Sequence, residues 1–497
     1  MEKDDCIEKV DFYTSNHFNT SILQPDNSRK AKFRTPRRLW KHGVSRERMM
    51  IMLRNRFSCP VVLMTASLVL GMLPVFKQGT AQTELARPTK QQLEWQDMEF
   101  GVFCHFGINT FHDKEWSDGT LDPATFNPAE LDAGQWVRAA RDAGAKYFML
   151  TAKHHDGFCL WPTSTTDYSV KRSPWRHGKG DVVREVADAC KKYGVKFGVY
   201  LSPWDRHEPC YKDKEAYDAF YKRQLEELLT GYGELVEVWF DGAGSEGREY
   251  DWPGIIALVR KHQPNAMIFN MGEPTIRWVG NENGVAPYPC WNAVRKDDVL
   301  EFSRGRGKAD GEGSVWLPAE CDARIRRNWF WHSDDAATLK SVDQLMEMYY
   351  RSVGHGCNLL LNVGPDRRGL FPEQDVARLR EFGAEIVRRF SRSLASTSGE
   401  GDRLSVSFQQ PTWVDHAVTM EAIQYGERVR TYIIEAVVED EWKTVAEGTA
   451  IGHKKIDRFP AVQTKSLRFR CLASEGEPQI RLFAVLYCAG DGGAGEK

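Results

Sequence analysis

The feature that most constrains the fold is a short apolar run that ends in polar side chains and recurs along the chain. The clearest case is Val-Glu-Val-Trp-Phe-Asp-Gly at 236–242, which predicts a buried strand with Asp241 at its C-terminal end. Functional groups at the C-terminal ends of successive parallel strands are typical of a (β/α)8 barrel, in which the loops after the strands build the active site. Three earlier segments have the same form: 100–107 with His105, 147–157 with His154 and His155, and 196–204 with Tyr200, Ser202 and Trp204.

Helix signals alternate with these strand signals between residues 85 and 395. Asp132 and Asp181 stand where two helices are predicted to begin, and a glycine ends each pattern. Alternating strands and helices predict parallel strands joined by crossover helices. We therefore expect an α/β fold with a TIM-like (β/α)8 barrel at 85–395, in which 242–264 and 273–313 are long irregular stretches. Later strands are predicted at 266–271, 314–322 and 358–365.

The pattern changes after Leu394. A stretch rich in Ser, Thr and Gly at 393–401 is expected to be a linker, and short alternating apolar and polar segments follow it. Such segments predict a small C-terminal β-sandwich at 402–490. Bracing of the barrel is the preferred role for this domain, and sugar binding is the alternative.

The segment before residue 82 carries targeting signals. Residues 1–58 are polar and basic, and they are expected to be disordered, or not to be translated if synthesis starts at 49–52. An arginine-flanked apolar run that ends in small residues occupies 59–81 and predicts a secretory signal peptide, with a signal anchor as the alternative. Export to a periplasmic or extracellular location is expected, without stable membrane insertion once the segment is cleaved.

Composition argues against several classes of function. A formal net charge of −2 and the lack of a basic stripe in the body of the chain argue against nucleic acid as a partner. The 11 cysteines show no CxxC pair and no framework spacing, so neither a zinc centre nor a full disulfide set is expected. We expect no cofactor and no metal.

Asp241 and Glu282 form the candidate carboxylate pair. Taken alone, an Asp before Gly is most often a turn residue, and Glu282 in a Gly/Asn-rich loop reads as a solvated side chain. Together they supply what glycoside cleavage requires. One carboxylate attacks or stabilises the sugar carbon, and the other group donates a proton to the leaving oxygen.

His105, His154 and His155 are candidates either for metal binding or for hydrogen bonding to sugar hydroxyls. A metal site would take its oxygen from Asp241. Adjacent strand residues point to opposite faces, so His154 and His155 are not expected to converge on one ion. Hydrogen bonding to ring hydroxyls is therefore preferred. Polar and stacking contacts are also expected from Glu115, Trp116 and Trp316.

Seven motifs follow one another along about 90–490. They are His105-Phe-Gly, Glu115-Trp116, Ala-Lys-His154-His155-Asp-Gly-Phe-Cys-Leu-Trp-Pro, Asp167-Tyr-Ser-Val, Tyr200-Leu-Ser-Pro-Trp-Asp-Arg-His, Glu237-Val-Trp-Phe-Asp241-Gly-Ala and Asn358-Leu-Leu-Leu-Asn-Val-Gly-Pro. Together they resemble the α-L-fucosidase family of retaining glycoside hydrolases. The resemblance implies that Asp241 is the nucleophile. It also implies a fucose pocket lined by His105, His154, His155, Tyr200 and Trp239, with Glu115 and Trp116 beside it.

The position of the acid/base varies in this family. The loop Gly280-Asn281-Glu282 resembles the branch that acts on α-1,3/1,4-fucosyl linkages of branched glycans, which implies Glu282 as the acid/base. Glu273 is the alternative because it closely follows a predicted strand. Arg277, in the same segment as Glu282, and Trp316 are assigned to substrate binding.

A fucosylated oligosaccharide or glycoconjugate is the expected partner. The main alternative is the branch of broad specificity, which accepts α-1,2 and aryl fucosides. Other hypotheses are a barrel glycosidase for a different sugar, such as an α-galactoside, a glycan-binding protein without activity, and a metallohydrolase.

Overall fold

The computed structural model describes residues 85–304 and 306–489. The extension predicted at 1–58 and the signal segment predicted at 59–81 lie outside the described residues. No helix in the described part of the chain is long and apolar enough to cross a membrane. The barrel and the sheet that follows it belong to one compact unit.

The N-terminal half of this unit alternates strands and helices, as the sequence predicts. Eight of the first ten strands are parallel and form the barrel, and the other two, β7 and β8, form a short antiparallel pair. The first ten strands are β1 (Phe100–Cys104), β2 (Tyr147–Lys153), β3 (Lys196–Leu201), β4 (Glu237–Trp239), β5 (Met267–Phe269), β6 (Arg277–Trp278), β7 (Ala293–Val294), β8 (Val315–Trp316), β9 (Ala319–Arg324) and β10 (Asn358–Asn362).

The barrel strands pair in the order β5-β4-β3-β2-β1-β10-β9-β6. A bridge between Phe269 and Ile276 joins the two ends of this sheet. The predicted strand at 314–322 is wrong as a single element, because Pro318 separates β8 from β9. A proline has no backbone N–H to donate to a sheet, so it interrupts the ladder.

Helices cover the outside of the barrel, and four of the seven described α-helices begin at a capping aspartate. The side chains of Asp132, Asp181, Asp213 and Asp251 each accept a hydrogen bond from a backbone N–H in the first turn. The helices are α1 (Lys90–Gln96), α2 (Ala133–Asp142), α3 (Val182–Tyr193), α4 (Lys214–Gly231), α5 (Trp252–His262), α6 (Val342–Arg351) and α7 (Glu373–Phe390).

The two stretches predicted to be irregular differ in outcome. The prediction for 242–264 is wrong in part, because α5 occupies it and buries Ile255, Ile256 and Val259 against the barrel. At 273–313, the described residues contain only the two-residue strands β6 and β7 and short 3-10 turns. Within the described chain, no α-helix lies between β5 and β9.

Alternate residues of each strand face opposite sides of the barrel wall. On β4, Val238 packs in the cluster between strands and helices, and Trp239 packs in a second cluster inside the barrel. A side chain at Gly101 would lie 2.5 Å from the Tyr147 ring, so glycine there leaves room for that ring inside the barrel. Asp241 follows Trp239 by two residues and therefore continues the inward-facing row at the mouth.

The C-terminal part is a six-stranded antiparallel sheet that encloses its own apolar core. The predicted linker at 393–401 is wrong, because 395–400 pairs with the last strand. A TIM-like barrel followed by a small C-terminal β-sandwich is confirmed. The strands are β11 (Ala395–Glu400), β12 (Arg403–Glu421), β13 (Val429–Val438), β14 (Glu441–Gly448), β15 (Lys455–Ser474) and β16 (Gln479–Leu486).

Buried polar contacts join this sheet to the barrel. The side chain of His453 lies 3.1 Å from Glu99, just before β1, and Tyr350 on α6 lies 2.8 Å from Nε2 of His416 on β12. Val418 and Ile456 also pack in the main apolar cluster of the barrel. These contacts support the bracing role for the C-terminal domain.

Candidate active site

The C-terminal ends of the barrel strands surround a cavity of about 460 Å³. Nine of the site residues predicted from the sequence line it together. They are His105, Glu115, Trp116, His154, His155, Tyr200, Trp239, Asp241 and Glu282.

Asp241 presents its carboxylate to this cavity in a fixed orientation. The hydroxyl of Tyr200 donates a hydrogen bond to Oδ2 at 3.0 Å, and the backbone N–H of Ala243 donates to Oδ1 at 2.8 Å. Nε2 of His155 lies 3.6 Å from Oδ2, and 24% of the Asp241 side chain is exposed. Both oxygens are thus oriented by neutral donors, while the carboxylate stays accessible from the cavity.

His155 is a hydrogen-bond acceptor towards the cavity. Its Nδ1 lies 2.7 Å from Oγ of Ser202, and the Ser202 hydroxyl donates to the carbonyl of Trp204, also at 2.7 Å. Because the hydroxyl proton is used in that bond, the hydrogen-bond network assigns the ring proton to Nδ1. Burial lowers the pKa of His155 although the Asp241 charge opposes this, so the ring is neutral and Nε2 carries a lone pair.

His105 has the same arrangement. Its Nδ1 lies 2.7 Å from Oδ1 of Asn362, whose amide group donates to the carbonyl of Trp329 at 2.7 Å. Burial lowers the pKa of His105 to about 3, so this ring is also neutral and presents Nε2 as an acceptor. Burial lowers the pKa of His154 too, and its Nδ1 has no partner among the described residues.

His154 and His155 do not point to opposite faces, contrary to the premise taken from strand alternation. Both line the cavity, and their ring centroids are 4.2 Å apart. The physical reason is that the register of β2 shifts between Thr151 and Lys153 and a turn begins at His155, so the alternation of the strand does not continue through these two residues.

The cavity histidines do not form a compact set of metal ligands. In the described ranges, the only group of three or more His, Cys, Asp or Glu with ligand atoms within 4.8 Å of one another is Asp415, His416 and Cys488. Those three lie in the C-terminal part. The Asp415 carboxylate already accepts hydrogen bonds from the His416 ring and from the backbone N–H groups of Cys488 and Ala489.

Glu115, Trp116 and Trp239 form other parts of the wall. The Glu115 carboxyl accepts backbone hydrogen bonds from Trp329 and Phe330 at 2.9 and 3.2 Å, and burial raises its pKa. Trp116 is 43% exposed, which places it at the rim. The indole of Trp239 is 6% exposed and stacks on Phe269 with ring centroids 4.0 Å apart.

Glu282 lies at the mouth, on a loop tied to β9 at both ends. The backbone N–H of Val279 donates to the carbonyl of Glu320, and the N–H of Gly284 donates to the carbonyl of Asp322. Oε2 of Glu282 lies 3.5 Å from the Arg324 guanidinium and accepts a hydrogen bond from the Trp329 indole at 3.3 Å. Its side chain is 46% exposed, so it can contact both a ligand in the cavity and the solvent.

Glu273, the alternative acid, lies elsewhere. Its carboxylate pairs with Arg260 at 2.6 Å, its side chain is 61% exposed, and it does not line the cavity. The geometry therefore favours Glu282 over Glu273.

Arg277 and Trp316 also do not line the cavity. Arg277 faces out of the barrel, where its guanidinium donates to the carbonyls of Leu317 and Trp291. Its neighbour Trp278 faces inward instead, since adjacent strand residues alternate. Trp316 precedes β9 and therefore lies at the opposite end of the barrel, where its indole donates to the Gln96 side chain.

Several residues that line the cavity were not predicted from the sequence, including Asn270, Trp278, Asp322, Arg324 and Trp329. Asp322 and Arg324 carry the same signal as Asp241, a polar side chain at the end of a strand. Trp329 lies in the loop after β9 and has no local pattern that separates it from a core tryptophan.

Known proteins are similar to this chain over most of its length. The family profile described as alpha-L-fucosidase matches residues 122–387. Alpha-L-fucosidase 1 of Arabidopsis thaliana is 41% identical over 442 residues, which cover 80% of this chain and 86% of the plant protein.

Solved structures are similar over most of the chain. A glycoside hydrolase 29 family member from a rumen bacterium has a TM-score of 0.76 and 40% identity, and the match covers 83% of this chain and 80% of that one. A glycoside hydrolase 29 fucosidase of Ruminococcus gnavus in complex with fucose has a TM-score of 0.74 and 30% identity, with 82% and 97% covered. The resemblance seen in the motifs is thereby confirmed, and the chain belongs to the α-L-fucosidase family.

Proposed function

We propose that this enzyme is a retaining exo-α-L-fucosidase, with Asp241 as the nucleophile and Glu282 as the acid/base. The observation that carries the proposal is that both carboxyl groups line one cavity. Asp241 is held by Tyr200 and Ala243, and Glu282 is half-exposed at the mouth. Retaining glycosidases use such a pair, with carboxyl groups about 5–5.5 Å apart during the reaction.

The proposed reaction has two displacements. In the first, Oδ2 or Oδ1 of Asp241 bonds to the anomeric carbon of α-L-fucose, and the bond from that carbon to the leaving oxygen breaks. Glu282 gives its proton to the leaving oxygen. In the second, the Glu282 carboxylate takes a proton from water, the water oxygen bonds to the anomeric carbon, and the ester to Asp241 breaks.

Neutral imidazoles support the binding of a sugar in this cavity. Nε2 of His105 and Nε2 of His155 are free to accept hydrogen bonds from ring hydroxyls. Trp239 is buried beneath this space, and Trp116 stands at its rim. A pocket that is closed below and open at one side suits the removal of a terminal sugar.

The proposed linkage preference is α-1,3/1,4. It rests on the likeness of the loop 280–282 to the branch that cleaves branched glycans, together with the placement of Glu282 on that loop at the mouth. Broad specificity towards α-1,2 and aryl fucosides is the alternative.

A substrate panel tests the activity and the linkage together. Free fucose is measured after incubation with an aryl α-L-fucoside, a 2′-fucosylated lactose and a branched Lewis-type trisaccharide. Release from the branched glycan alone is expected. Release from all three would refute the narrow preference, and release from none by a folded enzyme would refute the fucosidase proposal.

A pair of matched variants tests the acid/base assignment. Glu282→Ala should lose most activity towards glycans with poor leaving groups, and Glu273→Ala should not, because Glu273 lies outside the cavity. The reverse result would move the role to Glu273.

We also propose that the protein is exported. The apolar run within 59–81, with arginines before it and small residues at its end, supports this proposal. Fractionation of cells that express the full chain tests it, and retention of the protein with the cytosol would refute it.

A further inference from the structure

Asp322 is a buried carboxyl group of the cavity that has no part in the proposed reaction. It lies on β9, is 3% exposed and lines the cavity. The Trp278 indole donates a hydrogen bond to its Oδ1 at 2.8 Å. No other residue that the structure describes donates a hydrogen bond to Oδ2.

The surroundings of Asp322 favour the carboxylic acid over the carboxylate. Two other buried carboxylates of this fold each face a cation, Asp205 with Lys153 at 2.9 Å and Asp375 with Arg326 at 2.8 Å. Among the described residues Asp322 has no ion pair, and a buried charge without a partner is costly.

The charged neighbours of Asp322 act in the same direction. Arg324, the next inward-facing residue of β9, pairs with Glu282 instead. Burial and the nearby carboxyl groups of Glu282 and Glu320 raise the pKa of Asp322 well above its usual range. A protonated carboxyl has one O–H donor, and because the indole N–H occupies Oδ1, the proton belongs on Oδ2.

We propose that Asp322 is a further substrate-binding residue, which donates a hydrogen bond from Oδ2 to an oxygen of the sugar in the cavity. This inference rests on the proposed function. It also answers a need of the site, since His105 and His155 present lone pairs to the cavity and Asp241 is an acceptor. Sugar oxygens accept as well as donate, so the site also needs donors.

Three variants of the full-length protein test this role. Asp322→Asn keeps an acceptor for Trp278 and replaces the O–H donor by an N–H donor. Asp322→Ala removes both the acceptor and the donor. Asp322→Val is used instead of Asp322→Ala if the Ala variant does not fold. The dissociation constant of L-fucose is measured by calorimetry, and KM and kcat are measured with an aryl α-L-fucoside.

Rescue by the amide is the expected result. Asp322→Ala should weaken fucose binding about tenfold or more and raise KM more than it lowers kcat, because loss of a partner for a substrate group costs binding. Asp322→Asn should bind fucose within a few-fold of the unchanged enzyme. If the Asn variant is as weak as the Ala variant, the inference is wrong.

A second comparison separates direct binding from support of Trp278. Trp278→Phe removes the donor to Oδ1, and Asp322→Ala is then made in that background. A further loss of fucose affinity supports direct contact with the sugar. No further loss would show that Asp322 acts only by holding Trp278, which overturns the inference. Failure of the unchanged enzyme to bind or release fucose would instead refute the proposed function.

Discussion

Removal of the Tyr200 hydroxyl tests how the nucleophile is held. In Tyr200→Phe, Oδ2 of Asp241 loses the hydrogen bond at 3.0 Å, and Nε2 of His155, an acceptor 3.6 Å away, cannot replace it. A hydrogen bond to a charged group is worth about 1.5–3 kcal/mol, which corresponds to about 10- to 150-fold in rate. Because 24% of the Asp241 side chain is exposed, water can replace part of this bond. We therefore expect the lower part of the range.

The assay is kcat/KM for hydrolysis of an aryl α-L-fucoside, with about a 10- to 30-fold decrease expected. Tyr232→Phe is the matched control, because its hydroxyl also donates to an aspartate, Asp181, at 2.9 Å, but outside the cavity. The control should keep its activity. A Tyr200→Phe enzyme within twofold of the unchanged one would refute the reasoning.

Three further results are expected. The guanidinium of Arg326 lies 2.7 Å from Asp335 and 2.8 Å from Asp375, so Arg326→Met leaves both carboxylates buried without a cation. This change should lower the free energy of unfolding by about 3–5 kcal/mol in a denaturant titration. An unchanged midpoint would contradict this. The pKa of His105 is lowered from 6.5 to about 3, so the unfolded chain takes up the proton first as pH falls. The Tm should therefore decrease between pH 6.5 and 3, and less steeply in His105→Asn; equal slopes would count against a neutral buried His105. Treatment with EDTA should leave activity unchanged, because the proposed reaction uses only side chains, and a loss restored by added metal would favour a metallohydrolase.

Much of the site could be predicted because a barrel strand has simple geometry. Inward-facing residues recur every second position, so Trp239 and Asp241 follow from the pattern of β4 alone. The same pattern on β1 and β3 leads to His105 and Tyr200. These residues are close together because parallel strands all end at one mouth, which needs no knowledge of loop structure.

The errors come from places where that geometry stops or shifts by one residue. Arg277 lies on a two-residue strand, and only the observed pairing with β9 shows that Trp278 faces inward instead. Trp316 was placed on the wrong strand because Pro318 divides the segment. The register shift near the end of β2 and the turn at His155 break the alternation at His154 and His155.

Residues supplied by long loops could not be found from local patterns. Trp329 contacts Glu282 through its indole and Glu115 through its backbone, which are 47 and 214 residues away in the sequence. Such contacts depend on how a loop crosses the mouth of the barrel. The linker predicted at 393–401 failed for a related reason, since its pairing partner is the distant strand β16.

The roles of the two carboxyl groups are tested most directly by azide rescue with an activated α-L-fucoside. In Glu282→Ala, azide should intercept the fucosyl ester on Asp241 and give the α-fucosyl azide. In Asp241→Ala, azide should displace the leaving group itself and give the β-fucosyl azide. The anomers are distinguished by NMR. The β-azide from Glu282→Ala together with the α-azide from Asp241→Ala would reverse the two roles and contradict the mechanism.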